Sequence, residues 1–174
     1  MKKIFGRLVL TILLACSLSL IFSSTTVIAE DNTEEILYCP QEYIEICDEM
    51  QEKYGISSSL LIALIQCESS CNPDAISSVG CIGLMQVHPI NNPDGLNLYD
   101  PRTNIELGTQ ILLRFRDKTE DGDLYLTISY YNGLGDTAAR WYYNEQWDKF
   151  TYAKKVCDMA MLIDEVRDGR IGNY

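Results

Sequence analysis

The residue in this chain best placed to do chemistry is Glu68, close to the end of an apolar helical stretch. In residues 56–86, ISSSLLIALIQCESSCNPDAISSVGCIGLMQ, Leu60, Leu61, Leu64 and Ile65 recur at the spacing that puts side chains on one helical stripe. Glu68 continues that stripe, four residues after Leu64 and seven after Leu61. A carboxylate on an apolar face is partly desolvated, which disfavours its charged form and raises its pKa. A carboxylic acid that keeps its proton near neutral pH can give that proton to a leaving group. The plain alternative is a solvated glutamate at a helix end. Asn72-Pro73 predicts the helix stop just beyond, because the residue before a proline is pushed out of the α region. Gly80 and Gly83 predict a tight turn ahead of Leu84-Met85-Gln86.

A helix must bring this acid against other elements, and the chain supplies helices. Residues 40–54 read as one, with Tyr43, Cys47, Met50 and Tyr54 on a face and Gly55 as the stop. Ser57 or Ser58 suits the N-cap of the helix carrying Glu68. An Asn-, Pro- and Gly-rich loop follows over 88–97. Another helix is expected over 104–117, where Gly108 suggests the close approach of a neighbouring helix. Leu124, Ile128 and Tyr131 recur at i, i+4, i+7, and residues 132–135 break that run. Asp136 reads as the cap of a short helix to 143, and a last helix is expected over 149–167. No stretch alternates convincingly like a strand, and there is no internal repeat. The pattern predicts one all-α domain.

With 174 residues the chain is long enough for one such domain. Residues 1–29 read as a secretory signal: Lys2, Lys3 and Arg7, an apolar core over 8–22, then Val27-Ile28-Ala29. A retained anchor competes, but the apolar run is short and interrupted by Thr and Ser. Leu13-Leu14-Ala15-Cys16 loosely resembles a lipidation site, yet apolar sequence continues past the cysteine. Residues 30–37 are an acidic leader without apolar period, expected to be disordered, and the domain occupies 38–174. Losing residues 1–29, with three basic residues and no acidic one, takes the net charge from −11 to −14. So acidic a domain repels phosphates, which argues against nucleic-acid binding. It would equally be repelled by anionic lipids and wall polymers, so a soluble, extracytoplasmic monomer is expected, with no stable membrane insertion.

Loss of Cys16 leaves six of the seven cysteines, an even number that reads as disulfides behind a signal. Two pairings are suggested, Cys71 with Cys81 across the turn after Glu68, and Cys47 with Cys157 between helix faces. Free buried cysteines are the alternative. No metal site and no cofactor are expected: His88 is the one histidine, and no CxxC pair exists.

Four ordered blocks, ALIQCESSCNP, SSVGCIGLMQ, LYDPRTNIELGTQIL and ISYYNGLG, together resemble the lytic transglycosylase (SLT) domain of the goose-lysozyme-like superfamily. The resemblance implies a compact, lysozyme-like helical fold with a substrate cleft and no substantial sheet. It implies non-hydrolytic cleavage of the β-1,4 bond between N-acetylmuramic acid and N-acetylglucosamine in peptidoglycan, leaving a 1,6-anhydro sugar. On it, Glu68 matches the single catalytic acid/base. Ser77 matches a serine that contacts the N-acetyl group, Gln86 a substrate-binding glutamine, and Met85 a wall of the cleft. Tyr131 and Asn132 match the family's Ala-Tyr-Asn motif, the tyrosine steadying the charged transition state. The bland readings are a turn residue for Ser77, core packing for Met85 and Tyr131, and a helix cap for Asn132. Trp141, Tyr142, Tyr143 and Trp147 could stack on sugars, but packing against the last helix is the expectation.

The sequence departs from the family pattern at Tyr130, at His88 and at the cysteines flanking the turn, none of them an acid/base group. Ordinary glycosidases need two carboxylates, about 5–5.5 Å apart for retention or about 6.5–9.5 Å for inversion. Asp74, Asp94, Asp100 and Glu106 are the candidates for a second, and none sits in a motif. With one carboxylate, the substrate's own acetamido group must assist. A hydrolytic muramidase and an inactive glycan-binding module of a secretion or conjugation apparatus are the competing readings. The small size also resembles enzymes that open a local gap for such an apparatus.

Overall fold

The computed structural model describes residues 39–170, and six α-helices carry most of them. They are α1 (Gln41–Tyr54), α2 (Ser58–Ser69), α3 (Pro101–Arg116), α4 (Leu124–Tyr131), α5 (Gly135–Tyr143) and α6 (Thr151–Arg167). The all-α expectation holds. The only β pairing among the described residues is two isolated bridges, Ile76 with Ile82 and Ile82 with Val87. No described helix is long and apolar enough to cross a membrane. The expected signal over 1–29, the leader over 30–37 and the Cys16 site lie outside the described residues.

The helix carrying Glu68 is the centre of the domain. Every residue from Ser58 to Ile65 is buried, so the stripe expected from the sequence is a helix enclosed on all sides. α6 and α1 pack against it. Ser57 caps it, its side chain accepting from the Leu60 N–H at 3.3 Å. The buried serines that open it are also satisfied. Ser59 Oγ donates to Asp164 of α6 at 2.6 Å, and Arg167 donates to Ser58 Oγ at 2.8 Å and to Asp48 of α1 at 2.7 Å. One end of α2 is thereby pinned to both neighbours.

Four boundaries differ from the sequence reading, the first three for a local reason. α2 stops at Ser69, ahead of Asn72-Pro73, because Ser70 and Cys71 turn into the left-handed region at φ 53° and 59°. α3 starts at Pro101 instead of 104. Proline presets the helical φ at the first position, and the Asp100 side chain accepts from the Thr103 N–H at 2.8 Å. α5 starts at Gly135, so Asp136 lies inside its first turn and makes no cap. The stretch 147–149 is a separate 3-10 turn, and α6 begins at Thr151.

The aromatic cluster packs as expected only in part, Tyr143 and Trp147 being largely exposed. Trp141 and Trp147 lie with ring centroids 6.0 and 5.9 Å from Phe150, which is buried at the foot of α6.

Neither suggested disulfide forms: Cys71 is not bonded to Cys81, nor Cys47 to Cys157. Cys71 turns away from Cys81 because its left-handed backbone aims the side chain back under α2, where its Sγ meets Cys39 Sγ at 2.6 Å.

Gly108 does accommodate a close neighbour, but that neighbour is the Met85 side chain and not a second helix. A Cβ at 108 would lie 2.6 Å from Met85 Sδ and 2.7 Å from Met85 Cβ. Gly108→Val is expected to destabilise the domain by about 1–3 kcal/mol through overpacking. The helix-propensity gain of a few tenths of a kcal/mol offsets little of that. The readout is a lower urea midpoint at unchanged m-value. An unchanged midpoint would mean that Met85 swings aside freely.

Candidate active site

Glu68 is the second-last residue of α2, half-buried, with its carboxyl facing α6. Tyr152 of α6 donates its hydroxyl hydrogen to Glu68 Oε1 in a very short bond. Burial raises the Glu68 pKa above the usual carboxylate range, and the Tyr152 hydrogen bond opposes that rise. The C-terminal end of a helix, with its partial negative charge, disfavours a carboxylate in the same sense as burial. No second carboxylate contributes to the shift. Among the candidates for one, Glu106 accepts from Lys53 and Tyr54 at 2.6 and 2.8 Å, and Asp100 caps α3. Glu68 is thus protonated to higher pH than a solvated glutamate.

The residues after α2 fold back against that acid as a knotted turn. Ser69 Oγ bonds the Ile65 carbonyl at 3.1 Å and the Leu84 carbonyl at 2.9 Å, tying the helix end to the Gly83-Leu84-Met85-Gln86 stretch. Asn104 of α3, almost fully buried, satisfies three backbone groups: Met85 N–H at 2.7 Å, and the Ile82 and Leu98 carbonyls at 2.8 Å each. Gly83 is required there. Its φ is 78°, and a Cβ would come within 2.3 Å of Asn104 Nδ2. Tyr131 of α4 donates to the Met85 carbonyl at 2.7 Å. Burial and the nearby charge of Glu68 both push the Tyr131 pKa well up, so it stands beside the acid as a neutral phenol.

Glu68 and Tyr131 come from two helices, and Tyr131 holds the turn that carries Met85 and Gln86. Met85 is fully buried, its side chain against Gly108, and supports the turn from beneath. Gln86 takes φ 47°, and its Nε2 donates to the Ala75 and Gly83 carbonyls at 3.2 and 3.0 Å. That fixes the amide and leaves its Oε1 as the atom able to meet a ligand. Ser77 lies half-buried on the loop before Gly80, where its Oγ accepts from the Cys81 N–H at 3.0 Å. Asn132 is exposed at the residue after α4. His88 Nδ1 accepts from Ile90 N–H at 3.2 Å and caps a short 3-10 turn. A cavity of about 250 Å³ lies elsewhere, between Glu42, Glu45, Asp100 and Arg102, and is lined by none of Glu68, Ser77, Met85, Gln86, Tyr131 and Asn132.

Two residues that matter here escaped the sequence reading. Tyr152 shares a helical face with Val156 and Ile163, both buried, so counting Val156 into the stripe of α6 would have widened it to include the tyrosine. Asn104 precedes Gly108 by one turn on the inward face of α3. A polar side chain at that place needs buried partners.

A raised native pKa carries a consequence for stability. Between its unfolded and folded pKa values the folded state holds a proton that the unfolded state has released. Stability therefore falls as pH rises through that window and stays lower above it. Glu68→Gln removes this cost while keeping an acceptor for Tyr152. The variant is expected to melt above wild type at about pH 8, with the gap closing toward about pH 4. Equal melting temperatures at both pH values would mean that burying the carboxyl costs nothing.

The transglycosylase SLT domain family model matches residues 45–153. Membrane-bound lytic murein transglycosylase C of Histophilus somni is 34% identical over 125 residues, covering 61% of this chain and 34% of the relative. Membrane-bound lytic murein transglycosylase E of Buchnera aphidicola is 32% identical over 123 residues, covering 59% and 58%. The chain spans about a third of the length of the curated relatives it matches first. Among solved structures, the 70-kDa soluble lytic transglycosylase of Escherichia coli superposes with a TM-score of 0.57 at 22% identity. It covers 67% of this chain and 23% of its own. An inactive mutant of the lytic transglycosylase Slt from Pseudomonas aeruginosa gives 0.61 at 22%, covering 71% and 24%. These two likenesses establish the fold.

Proposed function

The chain belongs to the transglycosylase SLT domain family, and on that premise we propose that it is a peptidoglycan lytic transglycosylase. The observation that carries the reading is Glu68: one desolvated carboxyl, held by Tyr152, with no carboxylate partner perturbing it. In its protonated form it gives its proton to the glycosidic oxygen between N-acetylmuramic acid and N-acetylglucosamine. The sugar's acetamido group steadies the oxocarbenium-like centre, the role a second carboxylate fills elsewhere. Glu68, now a carboxylate, then removes the proton of the C6 hydroxyl, which closes the 1,6-anhydro ring and restores the acid. Tyr152 donates to the carboxylate form between the two transfers.

The other residues take supporting parts. The Ser77 hydroxyl, with its hydrogen still to give, suits an acetamido carbonyl. Gln86 Oε1 accepts from a sugar hydroxyl or amide, and Asn132 reaches the glycan from the end of α4. Tyr131, anchored on the Met85 carbonyl, lends the edge of its phenol to the developing charge. Met85 sets the height of the turn. The reaction takes place outside the cytoplasm, on wall glycan strands, by a monomer released from the signal at 1–29. The strongly acidic surface keeps it from adhering to polyanions, which suits a small enzyme opening a local gap for a secretion or conjugation apparatus.

Purified peptidoglycan digested with the protein is expected to yield muropeptides lighter by one water than those a hydrolytic muramidase releases. Glu68→Gln is expected to lower the rate by about 10²–10⁴-fold, the usual worth of a positioned acid/base. Products carrying the full water mass would replace this reading with hydrolysis. Equal, negligible cleavage by both proteins would leave a glycan-binding module.

Tyr152→Phe deletes the hydrogen bond that holds the Glu68 pKa down. The alkaline limb of the pH–rate profile, where Glu68 loses its proton, is therefore expected to move to higher pH while the maximal rate falls. A limb that stays in place would separate Tyr152 from the titration of the acid.

A further inference from the structure

We propose that Cys39 and Cys71 are the two halves of a disulfide that fastens the exit of the acid's helix to the start of α1. The two come together from positions 32 residues apart, both buried, with Cys71 Sγ turned onto Cys39 Sγ. Each approaches from a fixed anchor: Cys39 stands two residues before α1, and Cys71 two residues after α2. Among the six cysteines of the domain, this pair is in direct sulfur-to-sulfur contact.

The backbone beside the pair gives the bond something to hold. Ser70 and Cys71 are consecutive non-glycine residues in the left-handed region. Such a pair is strained and persists only where its surroundings over-determine it. Ser69 is held by Ile65 and Leu84, and beyond it the Cys71 side chain makes the anchoring contacts, to Cys39 and to Gln66 Oε1 at 3.1 Å. Cys71 is also three residues from Glu68. A bond there limits the fraying of the last turn of α2, on which the position of the acid depends.

The third thiol nearby does not compete. Cys47, fully buried on α1, lies close enough to feel Cys71, and burial pushes its pKa up to about 12. It stays a thiol at neutral pH and is a poor nucleophile toward the bond. Forming the bond breaks two S–H bonds and makes one S–S bond. The two electrons and two protons go to a disulfide-bearing oxidant, small molecule or protein, which is reduced to two thiols. The closed loop contains the whole of α1 and α2, so the bond stabilises the domain by restricting the unfolded chain.

Cleavage after acidic residues places the six cysteines on six separate peptides, Cys39 on residues 36–42 and Cys71 on residues 69–74. The purified protein, equilibrated with oxidised and reduced glutathione and then alkylated, is expected to give these two peptides joined. Their mass falls by two hydrogens relative to the free pair, and dithiothreitol separates them. The oxidised protein is expected to melt about 5–10 °C above the reduced one, and Cys39→Ser to match reduced wild type in either buffer. Complete alkylation of both cysteines before reduction, or Cys71 joined to Cys81 or Cys47, would overturn the proposal. The effect on catalysis rests on the lytic transglycosylase reading. Reduction is expected to slow peptidoglycan cleavage several-fold, and an unchanged rate would remove the brace on Glu68. A protein that carries the bond yet cleaves nothing in either state overturns the enzyme and leaves the disulfide standing.

Discussion

One desolvated carboxyl at the end of a buried helix governs the rest of this structure. Taking Glu68 out of water disfavours its ion, and the C-terminal end of α2 disfavours it further. Left alone, those two effects would make Glu68 a weaker acid, reluctant to release the proton that the proposed mechanism asks it to give. Tyr152 supplies the counterweight, a donor that strengthens when the carboxylate forms. A group that must be acid and then base within one turnover needs its two protonation states close in free energy. Burial and a single phenolic donor are a minimal way to bring them together.

That balance depends on position, and position is supplied by a turn whose backbone groups are nearly all tied down. Met85 is the clearest case: its N–H goes to Asn104, its carbonyl takes Tyr131, and its side chain fills the space that Gly108 leaves. Two helices therefore fix one fully buried residue. Buried polar groups without partners are costly, so Asn104 and the turn specify each other. The same logic holds at the far end of α2, where Ser58, Ser59, Asp164 and Arg167 lock its start. An acid carried on a helix fixed at both ends does not drift relative to Tyr152.

Much of this was legible in the sequence because it rests on local rules. The helix of Glu68, its Ser57 cap, the Gly55 stop and the absence of a sheet follow from periodicity and end signals. The helix starts at Pro101 and Gly135 were missed by small margins; at Pro101 the proline and the Asp100 cap outweighed the apolar pattern, while at Gly135 the expected Asp136 cap is not made. What the sequence could not convey is which distant side chain completes a local feature. Gly108 announced a close neighbour, but a methionine from a loop and a second helix leave the same trace in the chain. Cys71 looked across its own turn toward Cys81 until the left-handed backbone at 70 and 71 reversed its direction. Tyr152 lies 84 residues from the carboxyl it binds, on the flank of a stripe that looked complete without it.

Strain and site coincide here, and the coincidence has a physical basis. Of the five non-glycine residues with positive φ among the described residues, Ser70, Cys71 and Gln86 all belong to the segment that follows the acid. Each left-handed residue costs about 1–3 kcal/mol. A chain leaving α2 by an ordinary route would carry residues 71–86 away from Glu68. The two left-handed residues reverse it at once, so that Leu84 can accept from Ser69, and the third aims the Gln86 amide back at Ala75 and Gly83. The strain thus accompanies the reversal that ties the turn of Leu84, Met85 and Gln86 back to the end of α2.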